Sequence, residues 1–508
     1  MSLDLALGIA RSGLAAVQRG LAQASQNVAN AQTPGYVRKT VEQQSLVVAD
    51  MPAGLRSGDT QRAVDLALLG RLDQSRGTLA AATVREDLLT GIEQVHGATG
   101  DGATLGDAVA ALSTAFTALH EAPADAGQQR AALAAAGTVA NRLNDVSAAI
   151  GAARQQAQDG IVTEVAAANA ALQQIASLTV QIKSGTGGDQ AGLEDQRDRA
   201  IAALSESMEI QAVRKPDGDL LLIARGGLVL PLDPSRTLLA TAPASVAPDA
   251  FHGGSGTLPG ITLNGVDVTG QIAGGRLGEY VAMRDRTLPR YQAETDLVAV
   301  NLASRFDQQG LTLFTDADGS SVPDGAVPYA GSTQVGFAGR IRLGSAASAD
   351  PSLLRDGTHA VTPSATGPDG FVPNPPGGPA GFTIMIDRAL NYSLGGEASK
   401  GNPWPTIASA GLGPDGTLVS PFMPAARIAD YASSVTTAQL SDRAAATEAK
   451  TQAAGLQGAL NSRFIAGSGV DVDAEMAGMV TLQNAYAANA KVISTLQAMW
   501  DSLLGVMR

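Results

Sequence analysis

Small and apolar residues recur at the start of the chain at Leu7, Ala10, Leu14, Val17, Leu21, Ala24, Val28 and Ala31, with gaps of three and four in strict alternation. That spacing is a heptad seam and predicts a long helix. The end of the chain keeps one register as well, through Val472, Met476, Met479, Tyr486, Ala490, Ile493, Trp500, Leu504 and Met507, with Gln483 and Gln497 as polar interruptions. Two long helices of one period at opposite ends predict that the ends pair. An isolated amphipathic helix is marginal in water, and a pair buries only one stripe of each. Residues 1–60 and 470–508 are therefore expected to order as copies of the chain close around them.

Between the ends the period changes. Residues 60–205 read as helix, with one apolar stripe at Leu105, Val109, Leu112, Phe116 and Leu119 and a longer one at Ile161, Val165, Ala168, Leu172, Ile175 and Ile182. Pro123 opens a new helix there, with Asp125 placed to complement its N-terminal dipole. Gly137, Gly151 and Gly160 argue against one straight helix, and Gly185 to Gly188 break the run. From about residue 207 the period is two, and Met208–Arg214, Leu220–Ala224 and Leu228–Leu232 read as a three-stranded meander. Asn264-Gly265 predicts a two-residue hairpin turn. Helix returns with Leu297, Val300, Leu302 and Phe306. Residues 311–426 are rich in Gly and Pro and read as a β domain with long loops, the least ordered being 357–381. An Ala-rich helix follows, through Tyr431, Val435, Leu440 and Leu456 to Phe464, until Gly467-Ser468-Gly469 interrupts it.

The expected fold class is α+β: elongated and multidomain, with long paired N- and C-terminal helices, a helical bundle stem and inserted β-rich outer domains. The expected divisions are an assembly half with an extended strand (1–60), a helical stem (61–206), a β-rich insertion (207–275), a helix returning to the stem (276–310), a β-rich outer domain (311–426), a stem helix (427–466) and the second assembly half (467–508). At 508 residues several cores are needed. Aromatics make up 4% against 44% hydrophobic residues, which favours close-packed Ala-rich helices. A formal net charge of -13 without a basic cluster argues against nucleic acid. With no cysteine there is no disulfide, thiolate metal site or cysteine nucleophile. The first residues lack a basic n-region and carry Asp4 and Arg11 among the apolar ones, so no general secretory signal is expected. No apolar run is long enough to insert in a membrane.

After the first helix the sequence reads Asn27-Val28-Ala29-Asn30-Ala31-Gln32-Thr33-Pro34-Gly35-Tyr36. Pro34 forces Thr33 out of the helical region, and Pro-Gly predicts a type II turn. This block resembles the N-terminal signature of bacterial flagellar axial proteins, the rod, hook and hook-associated family, with Asn30, Thr33, Pro34, Gly35 and Tyr36 as its turn and Val37 to Val48 as the strand that leaves it. Asp195-Gln196-Arg197-Asp198, on a helix just before a β region, resembles the hook-associated protein 1 branch. Read from spacing alone, Asp195 and Arg199 stand four apart, as do Glu194 and Asp198, and predict a solvated helix face with intrahelical pairing. The last helix resembles the family's C-terminal signature in Gln483, Asn484, Ala485, Tyr486, Ala490 and Ile493.

Candidate chemistry is sparse. Asp316-Ala317-Asp318-Gly319 lacks the later acids of a calcium loop and reads as an Asp-Gly turn. Asp471, Asp473 and Glu475 cannot converge on a metal once a helix forms and read as N-terminal capping. His96, His120, His252 and His359 stand alone, without a His-Glu-x-x-His or Gly-x-Ser-x-Gly pattern, and read as surface or loop residues. The reading is a structural protein: no catalytic, cofactor-binding or metal site. Its assembly interface is placed at Leu7, Leu14, Val17, Leu21, Val28, Met476, Met479, Tyr486, Ile493, Trp500 and Leu504. The resemblance implies an adaptor joining hook to filament outside the cell, exported by the flagellar type III apparatus with a chaperone at its C-terminal region. The implied partners are further copies, hook protein and a second hook-associated protein. A hook or distal rod subunit is the alternative, and an axial protein with an enzymatic outer domain a third.

Overall fold

The computed structural model describes residues 3–48, 51–97, 104–185 and 189–506; Met507 of the expected seam and residues 186–188 of the expected break lie outside them. The chain starts with α1 (Leu3–Ala29) and a long antiparallel ribbon, β1 (Lys39–Val48) with β2 (Met51–Arg62). The second strand of that ribbon is new: residues 51–62 carry no clear alternation, and the pairing register alone makes them a strand. The stem follows as α2 (Leu66–His96), α3 (Leu105–Glu121), α4 (Ala126–Ser184) and α5 (Gln190–Ser207).

At 59 residues α4 runs unbroken for about 90 Å and is the spine. The glycines expected to interrupt it do not. A Cβ on Gly160 would stand 2.5 Å from the Tyr280 ring, so that glycine seats an aromatic against the helix, and tertiary packing overrides its low propensity. Pro123 lies three residues before the first helical residue, and Asp125 is the cap, accepting from the amides of Gly127 and Gln128.

Next comes the meander β3 (Ile210–Arg214), β4 (Leu220–Ala224) and β5 (Val229–Leu230), then a second small sheet, β6 (Leu239–Ala240), β7 (Thr262–Leu263) and β8 (Val266–Asp267). Asn264 at φ 51° and Gly265 at φ 83° make the turn between β7 and β8. The irregular chain between the sheets is tied to α4 rather than paired. Asn169, Gln158, Gln155 and Arg154 donate to the carbonyls of Leu239, Ala242, Ala244 and Ala247 in turn. Helix α6 (Gly275–Ala282) then passes through a π-helical turn into α7 (Leu288–Gln308).

Residues 311–426 form pairs of very short strands, β9 (Phe314–Thr315) with β10 (Arg342–Leu343), β11 (Glu397–Ser399) with β12 (Asn402–Pro403), and β13 (Ala410–Leu412) with β14 (Leu418–Val419). Short helices α8 (Ser345–Ala349), α9 (Leu353–Asp356) and α10 (Ile384–Arg388) lie between them. The stretch 357–381 is pinned: Val361 and Phe371 exchange two backbone hydrogen bonds, and the buried Phe371 ring fills the space left by Gly310 and Gly357. The chain ends with α11 (Ile428–Ser468) and α12 (Val472–Val506).

Three apolar cores lie along α4. One joins α3, α7, the start of α11 and residues 311–426; a second joins α5, α6 and both three-stranded sheets; the third joins α2, Tyr291 and Ala446 of α11. Helix α7 carries acids into the first. Asp296 accepts from Tyr329 Oη, the amides of Gly336 and Ala338, and Gln292. Glu294 accepts from Ser420 Oγ at 2.8 Å, while its Oε2 has no well-formed partner among the described residues. Burial pushes its carboxyl up to about 7 against the pull of Arg290.

Candidate assembly interface and its joint to the stem

Helices α1 and α12 pack side by side. A Cβ on Gly13 would lie 3.3 Å from Asn489, and one on Gly20 the same distance from Leu482, so the two run antiparallel. The buried apolar residues of α1, together with Gly13, are small (Ala10, Gly13, Ala16, Val17 and Ala24), which lets the backbones approach. Leu7, Leu14, Leu21 and Val28 are half-buried along the edges of that contact.

On α12 the expected register is only partly the contact. Met479 and Ile493 are half-buried, together with Leu482, Ala485, Asn489 and Leu496. Met476, Tyr486, Trp500 and Leu504 are 50%, 38%, 46% and 54% exposed. The apolar stripe of α12 is wider than one seam, so a single narrow partner covers one flank and leaves the other in water. Val480, Val492, Met499 and Leu503 extend the uncovered flank.

The turn after α1 is type II: Tyr36 N donates to Thr33 O at 3.1 Å, with Gly35 at φ 74°. Thr33 Oγ1 donates to Asn30 Oδ1, and Asn30 Nδ2 to Gln26 O, which closes the helix end. Asn27, which sequence reasoning passed over, holds the returning chain. Its buried side chain donates to Lys39 O and accepts from Lys39 N, Tyr36 Oη and Gln23 Nε2. The detectable signal was a polar residue beside the apolar positions 24 and 28.

The Asp195-Gln196-Arg197-Asp198 helix is where the solvated-face reading fails. Gln196 is exposed, but Asp195, Arg197 and Asp198 are buried, and their partners come from other elements. Arg62, at the end of β2, reaches Asp195 Oδ1 at 2.7 Å and Asp198 Oδ2 at 2.5 Å. Arg214 of β3 takes Asp198 Oδ1 at 2.7 Å, and the buried ammonium of Lys39 lies 3.3 Å from Asp195 Oδ2 and 5.0 Å above the Tyr36 ring. Arg197 donates to Gly218 O at 2.7 Å. Arg199, on the outer side, packs its stem where a Cβ on Gly35 would be, 2.8 Å from Cγ. The α5 spacing offered intrahelical pairs, but withdrawing the acids from water made the cations of the ribbon root the better partners.

Burial raises the Asp195 carboxyl, with Arg62 and Lys39 opposing. The same burial, aided by Asp195 and Asp189, pushes the Tyr36 phenol up to about 12, which keeps it a donor to Asn27. The last helix joins the same place. Arg38 N donates to Ser468 O at 2.9 Å, and Arg38 Nε meets the buried Glu475 at 2.6 Å. Of the three acids there, Asp471 is the cap, accepting from the amides of Asp473 and Ala474, while Glu475 is an anchor. The turn motif, the Asp195–Asp198 motif and the start of α12 thus meet in one polar joint at α5.

The histidines are varied rather than superficial. His96 is fully buried and bonded to Gln439 at 2.7 Å, because α11 packs over the end of α2, while His252 and His120 pair with Asp267 and Asp387. Among the described residues no group of three metal-binding side chains converges.

Residues 89–321 match the helical domain of the flagellar hook-associated protein FlgK, and residues 461–506 match the C-terminal segment of the flagellar basal body rod FlgEFG proteins. Flagellar hook-associated protein 1 of Salmonella typhimurium and that of Salmonella typhi are each 23% identical over 336 residues, 62% of this chain and 58% of the relative. The chain thus spans under two thirds of the length of those relatives. The flagellar hook junction protein FlgK of Burkholderia pseudomallei overlays 50% of this chain and 45% of its own, at 25% identity and a TM-score of 0.40. With the helical-domain match lying over the stem built on α4 and the rod-type match over α12, the chain is similar to the flagellar rod, hook and hook-associated proteins, and its stem to the helical domain of the hook-associated ones.

Proposed function

We propose that this protein is a structural adaptor of the flagellum that joins hook to filament by assembling with copies of itself and stacking on hook protein. The observation that carries the reading is the exposed flank of α12, Met476, Tyr486, Trp500 and Leu504, beside a stem whose large apolar side chains are mostly gathered into buried cores. Each such side chain withdrawn from water contributes roughly 1.5–3 kcal/mol, so closing copies around the α1–α12 pair supplies the stability the lone pair lacks. On this reading residues 1–60 and 470–508 order on assembly.

The work is mechanical, with no reaction. The Salmonella relatives are named as hook-associated proteins, which supports a place at the hook end, outside the cell. An exposed apolar α12 needs cover before assembly, which fits export through the flagellar type III apparatus with a chaperone on the C-terminal region. A second hook-associated protein then adds to the distal surface. A hook or distal rod subunit fits less well, because β2 gives way at Arg62 to the long helices α2 to α5 rather than to further sheet.

Deletion of the gene tests the function. The expected result is cells with hooks that release flagellin monomer and carry no filaments. Normal filaments on such cells overturn the junction role.

A further inference from the structure

The meander β3–β4–β5 has two edges of different kinds. The β5 edge is two residues long, whereas β3 is five residues long and lies open beside α2. Arg225 N donates to Glu209 O and Lys215 N to Asp219 O, so in this antiparallel register the odd residues of β3 face β4. The N–H and C=O groups of Ile210, Ala212 and Arg214 therefore point outward, and no described residue bonds them. An edge of this length is normally blunted by proline, a bulge or a covering element. Here it borders a cleft of about 580 Å³ whose other wall is Leu66, Gly70 and Arg71 of α2. The open space above Gly70 keeps that wall back from the strand.

The charge around the cleft runs against that of the chain. Arg71, Arg214 and Arg225 line it, against Asp73 and Glu209, in a protein of net charge -13. Asp73 is committed to Arg76, and Glu209 to Arg225. Arg214 is held by Asp198, whereas Arg71 is exposed and forms no ion pair among the described residues.

We propose that this cleft binds an extended acidic segment of a partner protein, which adds to β3 as a further strand and sets a carboxylate on Arg71. Main-chain bonds to Ile210, Ala212 and Arg214 supply the register, and Arg71 selects charge. The surface is separate from α1 and α12, so it leaves the assembly reading untouched.

The probe is a fluorescein-labelled decapeptide of alternating Val and Glu, titrated against the full chain by anisotropy. Binding with a Kd on the order of 0.1 mM is expected, as for a short strand addition. The same peptide with alternate backbone nitrogens methylated should not bind, and a Val-Lys peptide should bind at least ~10-fold more weakly. Arg71→Glu, at an exposed helix position, should weaken the Val-Glu peptide ~10-fold with an unchanged melting curve. No binding of the Val-Glu peptide, equal binding of the methylated or basic peptide, or no effect of Arg71→Glu each overturns the proposal.

Discussion

The stem and the terminal pair are both helical, but they treat apolar surface in opposite ways. Along the inner face of α4 the large side chains are dry, among them Leu143, Ile161, Leu172 and Ile175. Along α12 Trp500, Leu503 and Leu504 are about half in water. The joint between them is neither: it is held by buried charge, with Arg62 shared between Asp195 and Asp198. A buried ion cluster adds little net stability but is costly to leave incomplete, so it fixes geometry more than it adds strength. The difference teaches a division of labour: a stem stable by itself, a terminal pair that needs company, and a polar clasp that sets one relative to the other.

That contrast can be broken from the clasp outward. Arg62→Ala leaves Asp195 and Asp198 buried with fewer cations, and should cost about 3–5 kcal/mol in denaturant unfolding. Next comes pH. Glu294 has its folded value raised to about 7 from 4.5, so the folded state holds the proton that the unfolded state has lost. Its contribution is fully present below 4.5 and is lost as pH rises to about 7, on the order of 3 kcal/mol. Glu294→Gln should remove that share of the slope in melts run across the same window. Gly160→Ala drives a methyl into the Tyr280 ring and should cost about 1–3 kcal/mol, read by thermal melting. Smallest is Trp500→Ala: within about 0.5 kcal/mol on the free chain, yet fewer assembled copies per hook by immunogold counting.

Much of this was legible because it is written in short-range spacing. The heptads of α1, the Thr33-Pro34-Gly35-Tyr36 turn, the meander and the Asn264-Gly265 hairpin each depend on neighbours in sequence. The clasp was not, since Arg62 and Asp195 stand 133 positions apart and each looks like an ordinary surface charge. The width of the α12 stripe misled in another way. A heptad count finds a seam but does not say which flank meets the partner; the small residues Gly13 and Gly20 of α1 decide it by bringing Asn489 and Leu482 against them. The continuity of α4 through Gly160 was hidden because the reason, the Tyr280 ring, comes from a distant helix.

The central claim is that α12 offers an apolar flank that only assembly covers. Hydrogen exchange over residues 476–504, compared between the free chain and flagella that contain it, measures this directly. The account predicts fast exchange in the free chain and strong protection in the assembled state. Equal and strong protection in both would show the flank already covered by the chain's own body, and would contradict it.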